Sequence, residues 1–361
     1  MNTTKKLMTL LLAMLALVAC DDNSKDEPGE DKSTRIYLEI FTGKDYYICD
    51  TDGKMVYECP EGHFVSQMTA DGKNWYGVLQ SSDDQVYRIL KNGNVVMSTP
   101  NEIRSLCVEN GDIYTLQWDK APDYKYTEHY TARICKNETQ LYEYDSEEIL
   151  IYDLTVDHGD LTALAWYYGK YGQPTYWMNG KINSLPINKD YAPILHIAKN
   201  GNDTLAIIGN YSTDQPLYCW HNGETHPLPT DFDFETSIHF TYHRPQIALV
   251  GGITYIVGYR RSDIVLIING QEHSLNTQFP YIISKFQRHS NDVYTLTSKY
   301  NGLPGEELKT RIFKGTKPIE INSKIYLPNV KHDGEMIIYG HGGDTFNLAE
   351  IQAIDFVVLD K

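Results

Sequence analysis

Helical periodicity is almost absent from this 361-residue sequence, which argues against the α-solenoid class of repeat proteins. There is no Gly-rich phosphate loop and no HExxH, GxSxG or EF-hand spacing, so none of the chemistries those motifs carry is indicated. CxxC pairs are missing, and with them the usual frame of a structural zinc site. Beyond the first twenty residues no apolar run approaches membrane length. Positive charge is scarce: 32 Lys and Arg stand against 48 Asp and Glu, a net charge of −16 at pH 7. That balance argues against nucleic acid and against a general attraction to anionic lipid. No metal and no small-molecule cofactor are expected. Phenylalanine is sparse too, 10 residues against 28 tyrosines, and tyrosine favours half-wet sheet surfaces.

The chain begins with Lys5 and Lys6, an apolar run from Leu7 to Val18, and Leu17-Val18-Ala19-Cys20. The run is too short for a permanent span. Together these residues resemble a bacterial lipoprotein signal. The resemblance implies a signal peptide over 1–19 and a diacylglycerol on the Cys20 sulfur, with further acyl chains, each buried methylene adding about 0.8 kcal/mol of membrane affinity. The membrane is then contacted through this anchor alone. Residues 20–34 follow as an acidic tether without an apolar core former. Acidic residues directly after Cys20 resemble the surface-export signal of Bacteroidota lipoproteins, which implies an outer-membrane protein facing outward; under proteobacterial sorting, Asp21 would instead retain it at the inner membrane. The five later cysteines, Cys49, Cys59, Cys107, Cys135 and Cys219, are odd in number, and three recur at one place in different repeats. They are expected as buried free thiols.

What the sequence has in abundance is one phrase, a strand-like run ending in a two-residue turn. It reads Tyr176-Trp-Met-Asn-Gly-Lys181, Leu217-Tyr-Cys-Trp-His-Asn-Gly-Glu224 and Leu266-Ile-Ile-Asn-Gly-Gln271, with weaker copies at Arg88–Asn94, Ile48–Lys54, Arg133–Glu138 and Arg311–Thr316. The turns recur about every 40–47 residues, the period of a repeat architecture. A second turn precedes each, as in Asp157-His-Gly-Asp160 and Glu109-Asn-Gly-Asp112. Each unit therefore holds four antiparallel strands, A to D, in two hairpins.

Four strands per unit make a propeller blade. The fold expected is all-β: a β-propeller over 35–361, closed by strands from both chain ends. Full units cover 62–100, 101–146, 147–188, 190–232, 233–280 and 281–325. One composite blade gives seven, with Tyr326–Lys361 supplying strands A, B and C and Ile36–Cys59 supplying C and D. Eight blades result if each end makes its own. The pattern resembles, in outline, bacterial lipoprotein propellers with a Trp-Asn-Gly phrase in each blade, over nearly the whole mature chain. It implies a fold, and fold does not imply function.

Two sets of residues are candidates for a site. Strand A lines the channel of a propeller, and aligning units on the A–B turn puts Ser66, Ser105, Asp153, His196, His239, Lys285 and Asn329 near its start, with Arg104 adjoining. Water and mixed polar residues fill such channels by geometry alone, which is the simpler reading. Glycoside hydrolysis needs two facing carboxylates, and only Asp153 is offered by this column. Aromatic residues around the B–C loops form the other set: Trp118, Tyr124 and Tyr126 in one unit, Trp166, Tyr167 and Tyr171 in the next. Their rings would suit stacking on sugars or peptide side chains, and packing between blades is again the simpler reading. Trp177 and Trp220, beside the Asn-Gly turns, are expected between blades.

The function expected is a lipid-anchored, non-enzymatic binding module for a glycan or envelope protein, its domain monomeric. A carbohydrate lyase or hydrolase on the channel face is the runner-up, and a scaffold within an outer-membrane complex the third.

Overall fold

The computed structural model describes residues 34–41, 45–81, 85–119, 130–145, 149–167, 175–187, 194–209, 217–234, 246–261, 263–278, 281–299, 310–319, 321 and 352–361. The segments expected as signal peptide and tether, with Cys20, lie outside them except for Thr34, which opens a strand. No helix occurs among the described residues. The strands form seven separate antiparallel sheets, and neighbouring sheets touch in a closed cycle, every step of which involves an inner strand. This is a seven-bladed β-propeller.

Blades 1 to 6 follow the repeat in chain order. Their innermost strands are His63–Asp71, Glu102–Glu109, Ile149–Asp157, Ile194–Asn200, the pair Phe232–Asp233 and Ile247–Val250, and Tyr281–His289. Blade 7 is the composite. Its strands run from the inside outward as Gln352–Asp360, Thr34–Phe41, Tyr46–Asp50 and Met55–Glu58. The C-terminus thus gives strand A alone and the N-terminus gives B, C and D, which corrects the division expected from the sequence. The reason is burial: Phe356, Val357, Val358 and Leu359 are covered on both faces, as an innermost strand flanked by two other blades requires. Antiparallel pairing of Thr34–Phe41 with Gln352–Asp360 ties the two chain ends together, which closes the ring at this seam.

The Asn-Gly phrase does more than turn the chain. Asn92, Asn137, Asn179, Asn222 and Asn269 all have φ between +46° and +53°, a left-handed conformation that asparagine tolerates. Each side-chain oxygen then accepts a hydrogen bond from a backbone N–H at the start of strand B: Trp75, Ile113, Leu161, Thr204 and Thr254. In four blades the amide nitrogen also donates to the residue just before, Asn74, Asp112, Asp160 or Asp203. The C–D turn of a blade is clamped to its A–B hairpin. In blade 6 Gly315 takes this place, its N–H donating to the Val293 carbonyl as each asparagine N–H does in its own blade, and the preceding Lys314 meets Asp292 at 3.0 Å.

Packing between blades is apolar and aromatic. Trp177 is fully buried, edge-on to Tyr142 of the preceding blade with centroids 5.1 Å apart, and its indole N–H donates to the Tyr144 hydroxyl at 2.7 Å. A Cβ added to Gly180 would lie 2.6 Å from the Tyr142 ring, so this glycine serves both the turn and the blade interface. Trp220 is buried in the cluster between blades 3 and 4. Both tryptophans sit where the sequence pattern placed them. The five cysteines described are free. Burial pushes the Cys49 thiol up to about 12 and Cys219 up to about 11, which keeps them protonated and unreactive.

Candidate functional site: the bulged mouth of the channel

The seven inner strands line one central cavity of about 500 Å³. Near the start of strand A the ladder to strand B slips in six blades. The register shifts fall at Val65/Met68, Ile103/Ser105, Tyr152/Thr155, Ile194/His196 and Ile283/Lys285, and opposite Glu39/Ile40 in blade 7. Blade 5 breaks its inner strand at this level instead, between Asp233 and Ile247. There Gly258 makes room: a Cβ on it would lie 2.4 Å from Phe232. A bulge leaves residues out of the ladder and re-aims their side chains. The channel-face column is therefore built by a ring of bulges, a feature the sequence reading did not foresee.

Most of the column joins one blade to the next. Ser105 Oγ donates to the Leu154 carbonyl of blade 3 at 3.0 Å. Gln67, one residue beyond Ser66, donates to the Arg104 carbonyl at 3.0 Å and accepts from the Leu106 N–H at 2.9 Å. Ser66 is buried and points at its own blade, 3.5 Å from the Val78 carbonyl. His196 is buried against Phe234, ring centroids 4.9 Å apart.

The seam carries the strongest set. Lys285 Nζ lies 2.8 Å from the Asp355 carboxylate and donates to the Phe356 carbonyl at 2.8 Å and the Met68 carbonyl at 2.5 Å. Asp355 is only 2% exposed and accepts from the Met68 and Phe356 N–H groups as well. Glu39, equally buried, accepts from the Val65 N–H at 3.0 Å. One lysine of blade 6 therefore reaches across blade 7 to blade 1.

Asp355 directly follows the register shift of its strand, as Lys285 does in blade 6. It holds the blade 7 place that the sequence reading gave to Asn329, and Gln246 is the nearest described residue to the blade 5 place given to His239. Asn329 and His239 lie outside the described residues. Both slips are errors of alignment: counting back five residues from the blade 5 turn at Gly251 gives Gln246, and the innermost strand of blade 7 is Gln352–Asp360.

Asp153 differs from the rest. Its φ is +50°, a strained value for an aspartate that the bulge imposes. The residue as a whole is half-buried, yet its Oδ2 is shielded and has no hydrogen-bond partner. Desolvation pushes this carboxyl up to about 8, with no neighbouring charge contributing. It lines the cavity and takes no part in joining blades.

The turn end of the channel is built differently. Asp71, Glu109 and Asp157, at the ends of three inner strands, accept from turn N–H groups of the following blade, at Gly111, at His158 and Gly159, and at Gly201. Arg288 of blade 6 also comes within 3.6 Å of Asp157 in blade 3, so an ion pair bridges two blades that are not neighbours. His289 meets Asp360 of blade 7 at 3.1 Å.

Of the aromatic candidates, Trp118 is held within its own blade. Tyr130 stacks on it at 4.1 Å and the Arg104 guanidinium lies 4.1 Å from its ring; Glu102 holds that guanidinium at 3.1 Å. Two groups at stacking distance occupy the indole faces a sugar would use. The backbone of Trp166 and Tyr167 ends strand B of blade 3, opposite Leu150 and Ile149. Tyr124, Tyr126 and Tyr171 lie outside the described residues.

No protein-family model matches the sequence, and neither does any curated protein. Solved structures match in fold. The β-propeller domain of the trilobed protease from Pyrococcus furiosus is 14% identical, with 78% of this chain and 89% of that one covered and a TM-score of 0.48. The acylaminoacyl peptidase of Pyrococcus horikoshii is 13% identical over 81% of this chain, at a TM-score of 0.50. This chain spans only about half of that peptidase, 51%. At such identities the likeness concerns the propeller fold alone.

Proposed function

We propose that this chain is a lipid-anchored propeller of the cell envelope that binds a glycan or a protein partner without transforming it. The observation that carries the reading is the use made of the channel's carboxylates. Asp355 is taken up by Lys285 and two backbone N–H groups, and Asp157 by Arg288 and the Gly201 N–H. Asp71 is spent on the Gly111 N–H. Asp153 is left alone on its wall, whereas glycoside hydrolysis takes two facing carboxylates. The N-terminal lipobox and acidic tether support an outer-membrane location, with Cys20 as the lipidated residue.

The test is binding of the purified domain to a glycan array and to envelope extract. Binding is expected, with loss of signal in Trp166→Ala or Tyr171→Ala. Turnover of a bound glycan, or no binding to either source, overturns the reading. Protease shaving of intact cells checks the outward face: a protected domain contradicts it.

A further inference from the structure

We infer that the channel cavity receives a basic side chain of a partner polypeptide, with Asp153 as its anchoring carboxylate. This rests on the reading of the ring as a binding module and names what the cavity would take. Three observations converge. First, a cavity of about 500 Å³ falls within the ordinary range for ligand pockets, roughly 300–1,000 Å³. Second, the other acids lining it are already engaged: Asp71 by a turn N–H, Asp157 by Arg288, Asp355 by Lys285 and Asp360 by His289. Asp153 Oδ2 alone is shielded without a partner. Third, the chain holds Asp153 there with φ +50°, a conformation that glycine adopts at no steric cost. Strain kept at a buried, unpaired acid is what a recognition site requires and what a merely structural position avoids.

The ligand class follows from charge. A buried carboxyl without a counter-charge is held neutral by desolvation, and an ammonium or guanidinium entering beside it favours its ionised form. The protein's net charge of −16 draws basic segments toward it. The charged and titratable side chains that line the cavity with Asp153 are Asp71, Arg104, Cys107, Asp157, Lys199, Lys285, Arg288, His289, Asp355 and Asp360, and His196 stands on the neighbouring inner strand. None of them shifts Asp153, whose raised value comes from burial alone. Binding of a cation therefore transfers the Asp153 proton to buffer: the O–H bond breaks, the proton leaves to solvent, and the carboxylate pairs with the incoming cation.

The experiment is calorimetric titration of the whole mature chain with Nα-acetyl-lysine methylamide, in two buffers of different ionisation enthalpy. Nα-acetyl-norleucine methylamide, which lacks only the ammonium, is the control. Binding is expected to release close to one proton at pH 7 and roughly half a proton at pH 8. The norleucine compound should bind at least tenfold more weakly and release none. Asp153→Asn, which suits the left-handed backbone, should lose the proton release and at least tenfold in affinity. Equal affinity for the two compounds, binding without proton release, or an unchanged Asp153→Asn variant overturns the inference, as does no binding of the lysine compound. Each of these results leaves the glycan-array and envelope-extract result standing on its own, so the two readings fail separately.

Discussion

The two ends of the inner strands solve the same problem in different ways. At the turn end the solution repeats: in three blades an acid at the end of strand A takes the next blade's turn N–H, and in five an asparagine clamps the C–D turn to strand B. At the bulged end the backbone repeats but the side chains do not. Serine, glutamine, histidine and lysine stand at one level of the ring, each with its own partner, and Asp153 stands there with none for its Oδ2. Repetition marks what every blade needs, which is closure. Variation marks what particular blades do. Two tasks separate at the bulged end: Lys285 and Asp355 lock the seam, while Asp153, in a blade away from it, locks nothing.

Breaking the seam lock should have the largest effect. Lys285→Met leaves Asp355 buried without its counter-charge, and removing one partner of a buried pair costs about 3–5 kcal/mol. Urea unfolding should show a loss of that size, and Lys285→Met with Asp355→Leu should recover much of it. A loss below about 1 kcal/mol would mean that the bulged end contributes little to closure. A smaller effect is expected at the turn end. Asn179→Gly keeps the positive φ but removes two side-chain hydrogen bonds, for about 1 kcal/mol net. The same change at Asn222 should cost nearly the same, because its bonds are the same. Unequal losses at these two positions would break the claim that the turn end is uniform.

The sequence made the turn end legible and the bulged end only partly so. Asn-Gly pairs at a fixed period gave six whole blades, the hairpins and the interblade place of Trp177 and Trp220, because turn chemistry and burial act locally; whether the chain ends made one blade or two stayed open. The side-chain clamp of Asn179 was not visible, since it joins residues brought together only by pairing strands B and C. The bulges were not visible either: one extra residue in a strand changes no periodicity that a short run can display. The column of channel residues has Arg104, Ser105, Asp153 and Lys285 on the cavity, while Ser66 points at its own blade and His196 packs against Phe234. It slipped in the two irregular blades, where Gln246 and Asp355 take the level assigned to His239 and Asn329. The order of strands in the closing blade depended on which terminal segment is buried on both faces, a tertiary property. Trp118 had the composition of a sugar platform, but Arg104 and Tyr130 occupy its faces.

The central claim is that Asp153 is a buried carboxyl left free of the ring's own bonding, and its titration tests this directly. Burial raises its value from 3.8 to about 8. A raised carboxyl makes the folded state hold its proton longer, so this stabilisation is complete below about pH 4 and is lost as pH rises through about 8. The measurement is carboxyl carbon NMR of aspartate-labelled protein across that range, with the resonance assigned by its absence in Asp153→Asn. The account predicts one aspartate titrating near 8. A midpoint near 4 for that resonance would mean that solvent or a hidden partner already satisfies Asp153, and would contradict it.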